Sequence, residues 1–199
     1  MFYKQFSHWI LLAVCLLLLN SCRNKDVPVV NQEKSADFLP LHFAAVTNNE
    51  KEAERLLSKG TDVNIKAADG TTPLHWAALN NSAETAKLLI SRGADVNAKD
   101  NHDSTPLHWA VNMNSSGTTA LLISLGCNVN EKDKGGLTPL HTAALKNHIE
   151  TAEILISNSD DINPKADYGY YNGWTPLQIA EKEGHAEMVS LLRRSGASK

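Results

Sequence analysis

Two hydrophobic patterns divide the chain. From Ile10 to Leu19 every residue is apolar, an unbroken run of ten. Beyond Ser35 the apolar positions recur instead with helical spacing. Leu74, Ala77 and Ala78 fall at i, i+3 and i+4 on one face, and after Asn80-Asn81 a second set follows, Ala83, Ala86, Leu89 and Ile90. The pattern predicts two short amphipathic helices in succession. Thr72 is suited to cap the first, and Pro73 at its first position loses no needed hydrogen bond. Asn80-Asn81 ends it, because Asn tolerates a left-handed turn. Ser82 is expected to cap the second helix and Gly93 to stop it. Val96 then leads out extended toward a β-turn of the kind marked by Asp69-Gly70 in the preceding unit.

The unit recurs. TPLHWA stands at 72–77 and again at 105–110; Pro40, Pro73, Pro106, Pro139 and Pro176 are separated by steps of 33, 33, 33 and 37 residues. A second series keeps phase: GTDVN at 60–64, GADVN at 93–97, GCNVN at 126–130 and DDIN at 160–163. Self-similarity at a fixed period of this size means stacked structural repeats. The TPLH and GADVN signatures resemble the ankyrin repeat. That resemblance implies an all-α repeat solenoid of five helix-turn-helix repeats with β-turn or hairpin finger loops. The repeats fall at about 35–67, 68–100, 101–133, 134–166 and 167–199. Each helix pair has too much apolar face to stand alone and buries it against the next copy.

The recurring His and Trp are the obvious candidates for chemistry. His42, His75, His108 and His141 come from four different repeats. Neighbouring helices pack roughly 8–10 Å apart whereas zinc needs its nitrogens at about 2 Å, so these imidazoles are not expected to share a metal. Each lies in the first turn of a capped helix, where the family uses it structurally. Trp76 and Trp109 admit two readings, packing between repeats or exposure as aromatic anchors. The end copies carry charge where inner copies are apolar: Glu50 for Ala83, Arg55 for Leu88, Arg193 for Ile90. Polar outer faces of that kind suit terminal repeats, which makes 35–199 a self-contained repeat domain. Two places break the pattern. Ser159 replaces the expected Gly, at a cost near 1 kcal/mol if the left-handed turn is kept. Just after it, PKADYGYYNGW holds four extra residues and the aromatics Tyr168, Tyr170, Tyr171 and Trp174.

The N-terminal apolar run is too short for a bilayer-spanning helix, which needs about 20 residues, and suits the core of a secretory signal. Leu19-Asn20-Ser21-Cys22 resembles the bacterial lipoprotein box, with Asn20 in place of the usual small residue. By that resemblance residues 1–21 are a signal peptide, Cys22 is the acylated first residue of the mature chain, and 22–34 form a polar tether. Arg23 in place of Asp favours the outer membrane, facing the periplasm; a secreted or periplasmic protein is the alternative. Cys15 leaves with the signal and Cys22 carries lipid. Cys127 is then left alone, with no internal disulfide to make.

Composition narrows function mainly by exclusion. The chain has 199 residues, 42% hydrophobic and 21% charged, with a net charge of −3 and no long basic run, so nucleic acid is not an expected partner. No nucleophile-base-orienter set, phosphate-cradling loop or metal-ligand spacing appears, and neither a catalytic residue, a cofactor nor a small-molecule substrate is expected. The resemblance implies a protein partner of unknown identity, held across the finger tips and the exposed side of the first helices. At the tips these positions are Asp69, Thr71, Asn101, His102, Ser104, Lys134 and Leu137, and then the insertion with Tyr168, Tyr170, Tyr171 and Trp174. On the helices they are Asn80, Met113 and Lys146. The expectation is a non-catalytic, membrane-tethered interaction scaffold in the bacterial envelope. The same face would serve an immunity or protective protein that blocks a toxin or enzyme, an accessory of peroxide defence, or a host-directed effector.

Overall fold

The computed structural model describes residues 39–198. The signal, Cys22 and the tether lie outside that range. Among the described residues there are ten α-helices, one 3-10 turn and no strand, and none of the helices is long and apolar enough to cross a membrane. The helices come in five pairs: α1 (Pro40–Val46) and α2 (Glu50–Ser58), α3 (Pro73–Leu79) and α4 (Ala83–Ser91), α5 (Pro106–Asn112) and α6 (Ser116–Ser124), α7 (Pro139–Lys146) and α8 (Ile149–Ser157), α9 (Pro176–Glu183) and α10 (Ala186–Arg194). First helices pack on the first helices of adjoining pairs and second helices on second, while each second helix also lies against the first helix of its own pair. The fold is thus the serial stack that the period demands.

The core runs along the seam between the two layers. Leu74, Leu107, Leu89 and Leu122 have no exposed surface, and Leu140 and Leu177 only 2%. Burying a Leu of this kind stabilises by roughly 1.5–3 kcal/mol. Ala44, Ala77, Ala110 and Ala143 sit between them almost fully buried, small enough for the layers to approach closely.

Local signals behave as their chemistry requires. Asn48, Asn81, Asn114 and Asn147 all take positive φ between 51° and 57° where the first helix ends, and Gly184 does so in the fifth repeat. Gly60, Gly93, Gly126 and Gly196 close the second helices at φ of 82–92°, and the following N–H groups reach back to Leu56, Leu89, Leu122 and Leu192. Ser159 departs from this. Its φ is not positive, so the expected left-handed strain is avoided. Its hydroxyl accepts the Asp161 N–H at 3.2 Å and sits 3.1 Å from Asn130 Nδ2.

The cap of the second helix is a correction to the sequence reading. Ser82 occupies the N-cap position but makes no capping bond, and its Oγ lies 3.5 Å from the Val46 carbonyl of the preceding repeat. The cap comes from that repeat instead. Asn48 Oδ1 accepts the Thr85 N–H at 3.2 Å and its hydroxyl at 3.0 Å; Asn81 Oδ1 accepts the Thr118 N–H at 2.8 Å and its hydroxyl at 3.2 Å. Asn114 Oδ1 continues the series with the Thr151 hydroxyl at 3.2 Å. The left-handed turn therefore aims each Asn side chain at the next helix, satisfying donors that would otherwise be orphaned. In the first repeat, Asn49 caps its own helix through the Glu52 N–H at 3.1 Å.

The end helices present the charge expected of them. Glu50, Arg55 and Arg193 are exposed; Arg55 pairs with Glu52, and Arg193 with Glu181 at 2.7 Å. Such exposed pairs add little stability and serve mainly to keep these faces wet.

Candidate protein-binding surface

Each finger is pinned at its base by a recurring backbone bond: Ala67 N–H to Thr71 O at 2.9 Å, Asp100 to Ser104 at 3.1 Å, Asp133 to Leu137 at 3.0 Å and Ala166 to Trp174 at 2.9 Å. The four extra residues of the last finger lie inside this closure, so the insertion lengthens the tip and leaves the base as it is. Tips also touch one another. Asn101 N–H donates to Asp69 O and Lys134 N–H to His102 O, both at 2.9 Å. Gly70 and Gly136 allow that approach, because a Cβ at Gly70 would stand 2.8 Å from Asn101 N and one at Gly136 would stand 2.4 Å from Asp167 N.

The TPLH histidines belong to the scaffold. The Thr72 N–H donates to His75 Nδ1 at 3.1 Å, which makes Nδ1 an acceptor and places the ring proton on Nε2. Nε2–H then donates to the Ser104 carbonyl of the next finger at 3.0 Å. The same pair of bonds recurs for His108, with Thr105 N at 3.2 Å and Leu137 O at 3.1 Å, and for His141, with Thr138 N at 3.1 Å and Trp174 O at 3.0 Å. His42 makes only the outgoing bond, to Thr71 O at 3.0 Å. Burial is the main reason the pKa of His75 and His141 is lowered to about 4, and burial also lowers those of His42 and His108. The link to the following repeat was not visible in the sequence. These rings clip successive repeats together.

The tryptophans resolve in favour of packing between repeats. Trp76 is 7% exposed and donates its Nε1–H to Thr71 Oγ1 at 2.9 Å; half-buried Trp109 donates to Asp100 Oδ2 at 3.0 Å. Their rings lie 6.0 Å apart, and Trp109 meets His75 edge-on at 5.8 Å. Cys127 is buried, and burial pushes its thiol up to about 12, which leaves it protonated and unreactive at neutral pH.

The structure divides the expected contact residues. Thr71 leaves the surface: it is 1% exposed, with its hydroxyl bonded to Asp69 and Trp76 and its carbonyl to His42. Ser104 and Leu137 are half-buried and lend their carbonyls to the histidine clips. Asp69, Asn80, Asn101 and Lys134 are exposed, but their side chains bond Thr71, Val46, Ala68 and Asn101 respectively. His102, Met113, Lys146, Tyr168 and Tyr170 remain exposed, without a side-chain hydrogen bond among the described residues. Met113 and Lys146 stand one repeat apart at equivalent ends of α5 and α7.

The insertion splits in two. Gly169–Tyr171 form the 3-10 turn. Tyr171 packs edge-on between Tyr170, with ring centres 4.9 Å apart, and Trp174, at 5.7 Å. Its hydroxyl donates to Glu183 Oε1 on α9 at 2.8 Å, and burial, with that bond in second place, raises its pKa to about 12. Tyr171 and Trp174 thus build a local platform. Tyr168 and Tyr170 stand out from it, 67% and 74% exposed.

A comparison with curated proteins finds no match for the chain. A family model described as ankyrin repeats (3 copies) matches residues 11–100, 41–133 and 107–199. Together with five stacked helix pairs, capped TPLH turns and pinned fingers, this places the chain in the ankyrin repeat family, whose repeats form protein–protein interaction domains.

Proposed function

We propose that the repeat domain is a non-catalytic scaffold that grips one protein partner through its finger tips and first helices, and that lipid on Cys22 holds it in the bacterial envelope. The observation that carries the first part is the division of labour among side chains. The recurring His, Thr, Asn and Trp residues are consumed by the stack, while exposed Tyr170 stands on the Tyr171–Trp174 platform and exposed Tyr168 lies just before it in the same finger. Exposed Tyr on a preorganised support is the kind of group that dominates binding hot spots. His102, Met113 and Lys146 extend the same set of tip and helix-end positions into the earlier repeats. Supporting the envelope placement are the ten-residue apolar run and the Leu19-Asn20-Ser21-Cys22 sequence, which read together as an export signal with a lipid acceptor.

In-cell crosslinking tests the binding reading. A photoreactive residue placed at Tyr170 or Met113 should trap the same single protein, whereas one at Ser91, exposed at the end of outer helix α4, should not. Trapping of unrelated proteins from all three positions equally, or of none, overturns it. The tether is tested in the same cells: Cys22→Ala should leave an unprocessed chain lacking lipid, and normal processing and acylation of that variant would remove the anchor from the proposal.

A further inference from the structure

Three of the clips share a feature that the fold alone does not require. In each, the buried imidazole must be neutral: Nδ1 faces the backbone N–H of its own cap residue, at 3.1, 3.2 and 3.1 Å for His75, His108 and His141, and a backbone N–H can only donate. The cap hydroxyls of Thr72, Thr105 and Thr138 sit beside the same nitrogen at 2.9–3.0 Å. A proton taken from solvent by the Nδ1 lone pair sets N–H against N–H, strips the cap donor of its acceptor and buries a charge on a ring no more than 4% exposed. The fifth repeat supplies an internal contrast. There Gln178 stands in the position of the His, and its Oε1 accepts the Thr175 N–H at 2.9 Å. An amide does the same capping work without a titratable proton.

We propose that His75, His108 and His141 act together as an acid-sensitive latch, which holds successive repeats while neutral and loosens the second to fourth repeats when protonated. The outgoing bond of His141 ends on the Trp174 carbonyl, which also closes the aromatic finger by accepting the Ala166 N–H. Acid therefore loosens the support of Tyr168 and Tyr170, whereas α9, capped by Gln178, is not unlatched directly.

The charges around His75 and His141 are mixed and those around His108 are acidic, and none reverses the effect of burial. Asp69 and Asp100 face His75 and favour its protonation, and Lys66 opposes it. His108 faces Asp133, Asp100 and Glu131. His141 faces Lys132, which opposes protonation, and Asp167, which favours it. Two of these acids are themselves engaged: Asp100 accepts the His102 and Ser104 N–H groups and Trp109 Nε1–H, and Asp133 those of Gly135 and Leu137. With folded values below the unfolded imidazole value, the unfolded chain binds the extra protons. Stability is then complete above the ordinary imidazole range and drains away as pH falls from about 6.5 toward about 4.

The test is urea unfolding of the full chain in detergent between pH 7.5 and 4.5, followed by circular dichroism, for wild type and a His75→Gln/His141→Gln double variant. Acidification should raise the wild-type unfolding constant steeply, and the variant should lose roughly fiftyfold of that rise for each histidine replaced. An unchanged rise in the variant overturns the latch. Nitrogen NMR of the wild type gives a second measurement that does not depend on the variant folding. At pH 5.5 His75 and His141 should both show a bare Nδ1 and a protonated Nε2, and titration of either near the ordinary imidazole value in the folded protein overturns the proposal.

Discussion

The junction between the second and third repeats and that between the fourth and fifth differ by four residues and much chemistry, yet the clip is the same in both. His75 reaches Ser104 and His141 reaches Trp174, each at 3.0 Å. The longer finger is accommodated because it grows from a base that stays closed by Ala166 and Trp174, and lengthening a surface loop costs only a fraction of a kcal/mol per doubling. What the later junction lacks is the Asn cap. Asn81 holds Thr118 by two bonds, whereas Met188, fully buried, stands where the corresponding Thr would be opposite Asn147. The earlier junction also joins its tips through Asn101 and Asp69, and the later finger uses its length for an aromatic platform. The backbone frame repeats; side chains decide whether a junction is spent on cohesion or on display.

The sharpest way to break this comparison is at the two Asn residues. Both hold positive φ, so replacement by Ala costs each roughly 1–2 kcal/mol in backbone strain. Asn81→Ala also orphans the Thr118 N–H and should cost about 1–2 kcal/mol more than Asn147→Ala in urea unfolding. Equal losses would mean that the cap contributes nothing. A smaller effect of opposite sign is expected at Thr119, buried on α6 with its hydroxyl unpartnered, where the neighbouring repeats carry Ala86 and Ala152. Thr119→Ala should raise stability by about 1 kcal/mol, and a loss of that size would contradict the orphaned hydroxyl. Smallest is Tyr170→Ala. With 74% of its surface exposed, it should change stability by no more than about 0.5 kcal/mol while weakening capture of the crosslinked partner. A large destabilisation would assign Tyr170 to packing along with Tyr171.

Much of this was legible beforehand because its causes are local. Pro73 after Thr72, Asn81 at a left-handed turn and Gly93 at a helix end each act within a few residues, and the 33-residue period then places five copies in one stack. Ser82 misled for an instructive reason. An N-cap Ser is a sound local expectation, but an acceptor across the seam, Asn48 Oδ1, already occupied the site. The candidate surface was less legible. Asp69, Thr71 and Asn101 read as free polar tips; stacking turned Asp69 and Asn101 into partners of neighbouring fingers and buried Thr71 between its own finger and His42 of the preceding repeat.

From the sequence alone came the repeat, its helices and turns and the family resemblance, since caps, breakers and apolar periodicity are energies of short range. Only the stacked structure decided which polar side chains were left over. Whether Asn101 is bound, Thr71 buried or Tyr170 exposed depends on atoms about one repeat away or on how a ring packs, and the spacing that brings those atoms within 3 Å exists only once the copies lie against each other.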